Sequence, residues 1–167
     1  MISAQHPVAY LCAEFAWSND LPTYAGGLGI LARDTLMAAA QTAVPMIGIG
    51  LLYQGKDARQ TISAEGWQVD EDKHVDPTQH GFRLLLRGGI PVTITVPLAD
   101  KQVALQIWED EFTKDVRLWL LDPNIPENPP EVRAITRSLY CCEDEQQMQQ
   151  AVLLGAGAFR ALQELQV

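Results

Sequence analysis

The sequence predicts an α/β domain with an antiparallel β meander in its middle. Three observations carry that reading. An apolar run, a glycine-rich turn, a helix-patterned segment and a second apolar run stand in order over residues 8–52. Short segments of strand character, separated by turn signals, follow between Phe82 and Leu121. From Pro130 onward the apolar residues return to helical spacing.

The first run, Val8-Ala9-Tyr10-Leu11-Cys12-Ala13, is uncharged, as a buried parallel strand requires. Glu14 stands at its end, where α/β proteins place ligand-facing groups. Tyr24-Ala25-Gly26-Gly27-Leu28-Gly29 then opens a helix whose apolar positions are Leu28, Leu31, Ala32, Leu36, Ala39 and Ala40. That helix ends before Pro45. Two readings of the glycine-rich stretch stand open. It is a plain tight turn, or it presents helix N-terminal N–H groups to a phosphate or sugar oxyanion. Met46 to Leu52 reads as a second buried strand, in which Gly48 and Gly50 admit a close neighbour. Residues 1–60 thus form a βαβ unit with a right-handed crossover.

Residues 61–122 read as β-rich. Tyr53 to His80 is polar, with a candidate ligand loop at Gly66-Trp67-Gln68-Val69-Asp70. Strands are expected at Phe82 to Arg87, Ile90 to Pro97, Val103 to Trp108 and Val116 to Leu121. Arg87-Gly88-Gly89 and Leu98-Ala99-Asp100-Lys101 are hairpin turns in this scheme. Pro123 to Pro130 is a proline-rich connector, and residues 130–167 are helical. Asp144 through Leu165 is the longer helix, with Met148, Val152, Phe159, Leu162 and Leu165 among its apolar positions. Gly155 and Gly157 either weaken it or let another element pack close.

Composition narrows the function classes. A formal net charge of −9 over 167 residues argues against nucleic acid and anionic membrane surfaces as partners. It is compatible with a neutral sugar, and a phosphate would need local N–H groups or cations. Cys12 and the adjacent Cys141-Cys142 make no disulfide framework, which favours a reducing compartment. Adjacent cysteines bridge poorly, and with no His or Cys nearby no metal site is expected; small residues in a turn before a helix is the simpler reading. His6, His74 and His80 show no ligand spacing. No apolar stretch suffices for a membrane span and no leader pattern opens the chain, so a cytoplasmic location is expected.

Several segments, taken in order, resemble one family. They are Ala13-Glu14-Phe15, Leu21-Pro22-Thr23-Tyr24-Ala25-Gly26-Gly27-Leu28-Gly29, Pro45-Met46-Ile47-Gly48-Ile49-Gly50-Leu51-Leu52-Tyr53 and Gly66-Trp67-Gln68. Leu120-Leu121-Asp122-Pro123-Asn124-Ile125-Pro126-Glu127-Asn128, Arg133-Ala134-Ile135-Thr136, Leu139-Tyr140 and Arg160-Ala161-Leu162 complete the set. From Val8 to Leu165 the chain resembles the N-terminal region of the α-glucan (glycogen/maltodextrin) phosphorylases, in particular their shorter bacterial and archaeal branch. Glycogen and starch synthases also carry a glycine-rich loop, but usually with a lysine before Gly-Gly-Leu-Gly, where Tyr24-Ala25 stands here.

The resemblance implies an incomplete first Rossmann-like domain of a two-domain, GT-B-type glycosyltransferase. The family reaction is phosphorolysis of α-1,4-glucan to glucose 1-phosphate. Gly26, Gly27, Leu28 and Gly29 inherit the approach to substrate or cofactor phosphates and the glucosyl residue. Glu14 inherits a role in organising the site by hydrogen bonding, not in proton transfer. Pyridoxal 5′-phosphate sits in the family on a lysine of the second domain. No lysine here matches it, so neither that cofactor nor a complete catalytic set is expected on this chain alone. Trp67 is expected as a packing anchor, Asp34 as a structural hydrogen-bonding group and Arg133 in a surface salt bridge.

The chain also departs from the pattern. Cys141-Cys142-Glu143 replaces Gly-Gly-Asp, Gln146 to Ala151 replaces Arg-x-x-Gln-Glu, and Val132 replaces an acidic residue. These losses of charge suggest relaxed or altered function. The family's histidine-containing segment and second domain belong beyond Val167. Expected partners are therefore a glucan or sugar phosphate, a chain carrying the second domain, and a second copy if apolar surface stands uncovered. The alternative is a degenerate, non-catalytic binding or regulatory subunit.

Overall fold

The computed structural model describes residues 2–55, 59–71, 75–140 and 144–167. Strand β1 (Val8–Leu11), helix α1 (Gly27–Gln41) and strand β2 (Met46–Leu51) form the expected βαβ unit, with β1 parallel to β2. A hairpin of β3 (Arg59–Ile62) and β4 (Gln68–Glu71) follows, apart from the main sheet. The meander is β5 (Arg83–Leu84), β6 (Leu86–Arg87), β7 (Ile90–Pro91), β8 (Thr93–Leu98), β9 (Lys101–Thr113) and β10 (Val116–Asp122). One turn of helix, α2 (Pro130–Arg133), leads through a 3-10 turn (Ala134–Thr136) to α3 (Asp144–Leu165), whose bounds match the expected helix.

The main sheet runs in the order β1-β2-β10-β9, with β5 and β8 both pairing with β9. β1, β2 and β10 are parallel, and β9 is antiparallel to β10. Side chains alternate across the sheet, as strand geometry dictates. Leu118 and Leu120 of β10 join Leu36 of α1 and Phe15 in one core, whereas Trp119 and Leu121 join Leu153 and Ala158 of α3 in the other. The two helices therefore cover opposite faces. Gly157 lies where α3 crosses the sheet; a Cβ there would stand 2.8 Å from Leu121 and 3.0 Å from Leu105, so close packing is the reason for that glycine.

The structure corrects several boundaries. β1 was expected to be buried, yet it is the sheet's edge, with Ala9 and Leu11 exposed. The run Phe82 to Arg87 breaks into two short strands because its pairing changes partner. The Leu85 N–H donates to the Ile107 carbonyl, while the Leu85 carbonyl accepts from Val92. The polar stretch before it holds the β3–β4 hairpin and a 3-10 turn (Pro77–His80), whose Asp76 accepts from the Thr78 N–H at 3.0 Å. Gly88 and Gly89, at φ 61° and 83°, make the left-handed two-residue turn between β6 and β7. Among the described residues no helix is long and apolar enough to cross a membrane. Cys141, Cys142, Lys56, Lys73 and His74 lie outside the described residues.

Candidate functional site

The site begins where β1 ends. A helix N-terminus offers N–H groups without intrahelical partners and a partial positive charge. At α1 a carboxylate of the chain itself meets that charge. Glu14 Oε2 accepts from the N–H groups of Ala25 at 3.0 Å, Gly26 at 3.1 Å and Gly29 at 3.2 Å. The loop is pinned further along. Thr23 Oγ1 donates to the Phe15 carbonyl at 2.6 Å, Phe15 N–H donates to the Thr23 carbonyl at 2.8 Å, and Ala16 N–H donates to the Gly29 carbonyl at 3.0 Å. Gly29 is a glycine by necessity, since a Cβ there would lie 2.4 Å from the Tyr24 Cβ and 3.1 Å from Glu14 Oε2.

The other carboxylate oxygen reaches across the molecule. The Tyr140 hydroxyl donates to Glu14 Oε1 at 2.5 Å, joining the β1 terminus to the segment that precedes α3. Tyr140 takes a left-handed conformation, φ 52°, to do so. Burial pushes the Glu14 carboxyl up, for only 3% of the residue is exposed. The bonds from Tyr140, Ala25, Gly26 and Gly29 outweigh that and hold it below its ordinary value. Its partner responds in kind. The bond to Glu14, then burial, push the Tyr140 hydroxyl up to about 12.

Of the expected site residues, the structure thus brings Glu14, Gly26 and Gly29 into one hydrogen-bonded unit. Gly29 is buried within it, while Gly26, Gly27 and Leu28 lie exposed. With the other amides held by Glu14, the N–H groups of Gly27 and Leu28 are the ones left for an outside oxyanion. A Cβ on Gly26 or Gly27 would meet nothing within 4 Å. Nothing in the chain's own packing demands a small residue there, and backbone can be approached closely from outside. Tyr140 also lines a mostly apolar cavity of about 170 Å³, with Ala13, Leu51, Tyr53, Ala151 and Leu154. Tyr140 is the residue that sequence reasoning missed; its only trace was the Leu139-Tyr140 match, which carried no role.

Other expectations fail on inspection. Trp67 anchors nothing; it sits at the end of the β3–β4 hairpin with 74% of its surface exposed, because that hairpin lies off the main sheet. The residues around it form a tight turn, in which the Gly66 N–H donates to the Ser63 carbonyl. Asp34 is exposed on α1 and its side chain bonds to no described residue, so it does not orient the loop. Arg133 makes no ion pair with any described residue. A larger hollow, about 400 Å³, is lined by Gly81, Arg83, Glu109, Asp110, Glu111, Thr113 and Lys114 near the amino ends of the parallel strands. Within it Arg83 is bonded to Glu109 at 3.1 Å and to Glu111 at 2.8 Å. Among the described residues no cluster of His, Cys, Asp and Glu is placed to hold a metal.

No family model matches the chain. It is 38% identical over 162 residues to maltodextrin phosphorylase of Thermococcus litoralis, a match covering 96% of this chain and 19% of that protein. It is 40% identical over 157 residues to glycogen phosphorylase of Mycobacterium tuberculosis, covering 93% and 18%, respectively. The glycogen phosphorylase of Aquifex aeolicus is 33% identical over 163 residues, covering 95% and 23%. The chain therefore spans about a fifth of the length of these curated relatives. Among solved structures, the catalytic domain of starch synthase IV from Arabidopsis thaliana, bound to ADP and acarbose, superposes with a TM-score of 0.57. At 14% identity, over 95% of this chain and 25% of that one, the likeness gives the fold: a partial Rossmann-like domain of the GT-B kind.

Proposed function

Because this chain is a relative of the N-terminal region of the glycogen and maltodextrin phosphorylases, we propose that it supplies one wall of a sugar-phosphate site in an α-glucan phosphorylase-like glycosyltransferase. The reaction in this reading is phosphorolysis of α-1,4-glucan to glucose 1-phosphate. The observation that carries it is the pair of open N–H groups at Gly27 and Leu28, on a helix end that Glu14 and Tyr140 hold rigid. Preorganised donors of this kind stabilise oxyanions without reorganising. Glu14 positions the loop and transfers no proton, since its carboxylate already accepts four hydrogen bonds and is nearly buried.

Pyridoxal 5′-phosphate does not fit the residues described here. Lys101 pairs with Glu131 at 3.3 Å, and Lys114 lines the hollow at the amino ends of the strands, so neither faces the loop. In this proposal the cofactor lysine and the opposing phosphate ligands come from the second domain of the family. The engagement of Glu14 also favours a second reading, a non-catalytic sugar-phosphate binding subunit. Titration calorimetry with glucose 1-phosphate, orthophosphate and maltoheptaose, beside a phosphorolysis assay, tests both. The expected result is weak saturable binding of glucose 1-phosphate without turnover, abolished by Gly27→Val. Absence of binding to all three ligands overturns both readings.

A further inference from the structure

We propose that the cavity walled by Tyr140 is a second ligand site, for a compact apolar ring, and that Tyr140 and Glu14 couple it to the glycine-rich loop. The inference stands on the cavity and its hydrogen bonds, and does not depend on the reaction proposed above.

The cavity lies at the carboxyl ends of β1 and β2, the side of an α/β sheet on which ligands bind. Leu51 and Tyr53 are each 1% exposed and belong to the core that α3 covers. Leu139 and Leu154 extend the apolar lining. Two further positions, Ala13 after β1 and Ala151 on α3, carry only a methyl group and leave the space unfilled. Gln147 and Ala151, one turn apart on α3 and both exposed, mark its mouth.

Size and polarity choose the guest. Folded interiors leave few voids larger than a water molecule, whereas this space measures about 170 Å³. An apolar cavity of about 150 Å³ stays dry and takes up benzene. The polar groups at this wall already have partners. Gln150 Nε2 donates to the carbonyls of Ile135 and Ser138, and the Tyr140 hydroxyl donates to Glu14. Water inside gains few hydrogen bonds, so a ring of about six non-hydrogen atoms displaces it readily.

Coupling follows from the position of Tyr140. Its φ of 52° is uncommon for a bulky residue, and 53% of its surface is exposed. Its hydroxyl is bonded to Glu14 Oε1, while Glu14 Oε2 accepts from the N–H groups of Ala25, Gly26 and Gly29. A ring seated against Tyr140 adds contacts to this bonded conformation, and such differential affinity shifts the equilibrium toward it. An occupied cavity therefore stiffens the loop.

Benzene is the probe, titrated into the 167-residue chain and followed by the methyl resonances of Leu51, Leu139 and Leu154. Saturable shifts are expected, with a Kd on the order of 1 mM. Ala151→Phe at the mouth and Leu154→Phe at the wall should each fill the space and abolish them. Each variant is read alone, so loss of fold in one leaves the test to the other. At saturation, exchange of the Ala25, Gly26 and Gly29 amides should slow about fivefold, the low end for coupled sites. Tyr140→Phe keeps the ring and removes the bond, so it should retain the methyl shifts and lose the slowing. Absent shifts, shifts that survive both filled variants, or shifts confined to the exposed Met148, Val152 and Phe159 overturn the site. Shifts of the cavity methyls with glucose and not with benzene also overturn it, in favour of a polar guest. Unchanged or faster exchange, or slowing that persists in Tyr140→Phe, overturns the coupling. Failure of glucose 1-phosphate binding leaves both readouts untouched.

Discussion

Glu14 shows how one side chain sets the character of the whole loop. A buried carboxylate is tolerated only when hydrogen bonds replace its lost water, and here three amides and a phenol do so. Glu14→Gln should cost about 1.5–3 kcal/mol at neutral pH, the range for hydrogen bonds to a charged group, measured by urea unfolding. The pH dependence follows from the direction of the shift. The folded carboxyl lies below its ordinary 4.5, so between the two values the unfolded chain binds more protons. Its contribution is complete above 4.5 and is lost as pH falls through the folded value; Glu14→Gln should flatten that acid limb of the unfolding curve. Two glycines in the loop should behave oppositely. Gly29→Ala forces a clash with Tyr24 and should cost about 1–3 kcal/mol. Gly27→Ala, in the first helical position with open space around it, should raise stability by about 0.4–1 kcal/mol while weakening sugar-phosphate binding. Thermal melts of the two variants with calorimetry beside them check this contrast. Glu14 and the glycines were legible because strand, acid and turn are contiguous in sequence. Tyr140 was not, because no local pattern links residues 126 apart.

In helix α3 the glutamines that stand in place of charged residues have a structural role. Gln146 and Gln150 hold the chain before the helix. Gln146 Nε2 donates to the carbonyls of Ala134 and Ile135, both at 3.0 Å. Gln150 Nε2 donates to Ile135 at 2.8 Å and Ser138 at 3.0 Å. The Ala134 carbonyl also accepts from the Arg137 N–H at 3.0 Å, whereas the two glutamines share the Ile135 carbonyl and Gln150 holds that of Ser138. Gln150 is buried, so Gln150→Ala should cost about 1–3 kcal/mol through the Ser138 carbonyl it leaves without this donor, Ile135 keeping its bond from Gln146. It should also loosen Tyr140, seen as faster amide exchange in the Gly26–Gly29 loop. The periodicity of α3 and of β10 was readable because each packs over several turns or residues against one surface. The β3–β4 hairpin was unreadable for the converse reason: lying off the main sheet, it gains no alternating pattern from a core.

At the scale of the whole molecule, order among parallel strands is set by crossovers that span dozens of residues, so the position of β1 had no local sign. Its apolar run reads as central, and the structure makes it an edge. Net charge acts at this scale as well. At −9 the protein repels a phosphate from a distance, so in the proposed site the attraction has to come from the local amides of Gly27 and Leu28. Long-range repulsion between exposed charges is screened once their separation exceeds a Debye length of about 8–10 Å, whereas a contact to a backbone amide is hardly affected. Raising salt from about 0.01 M to about 0.15 M shortens that length from about 30 Å to about 8 Å. Binding of glucose 1-phosphate should therefore strengthen with salt, by about two- to fivefold over that range, while neutral maltoheptaose should show no such trend. Titration of both ligands at the two ionic strengths decides the matter. Weakening with salt would instead mean that a cationic side chain, not the amides of the glycine-rich loop, dominates the attraction.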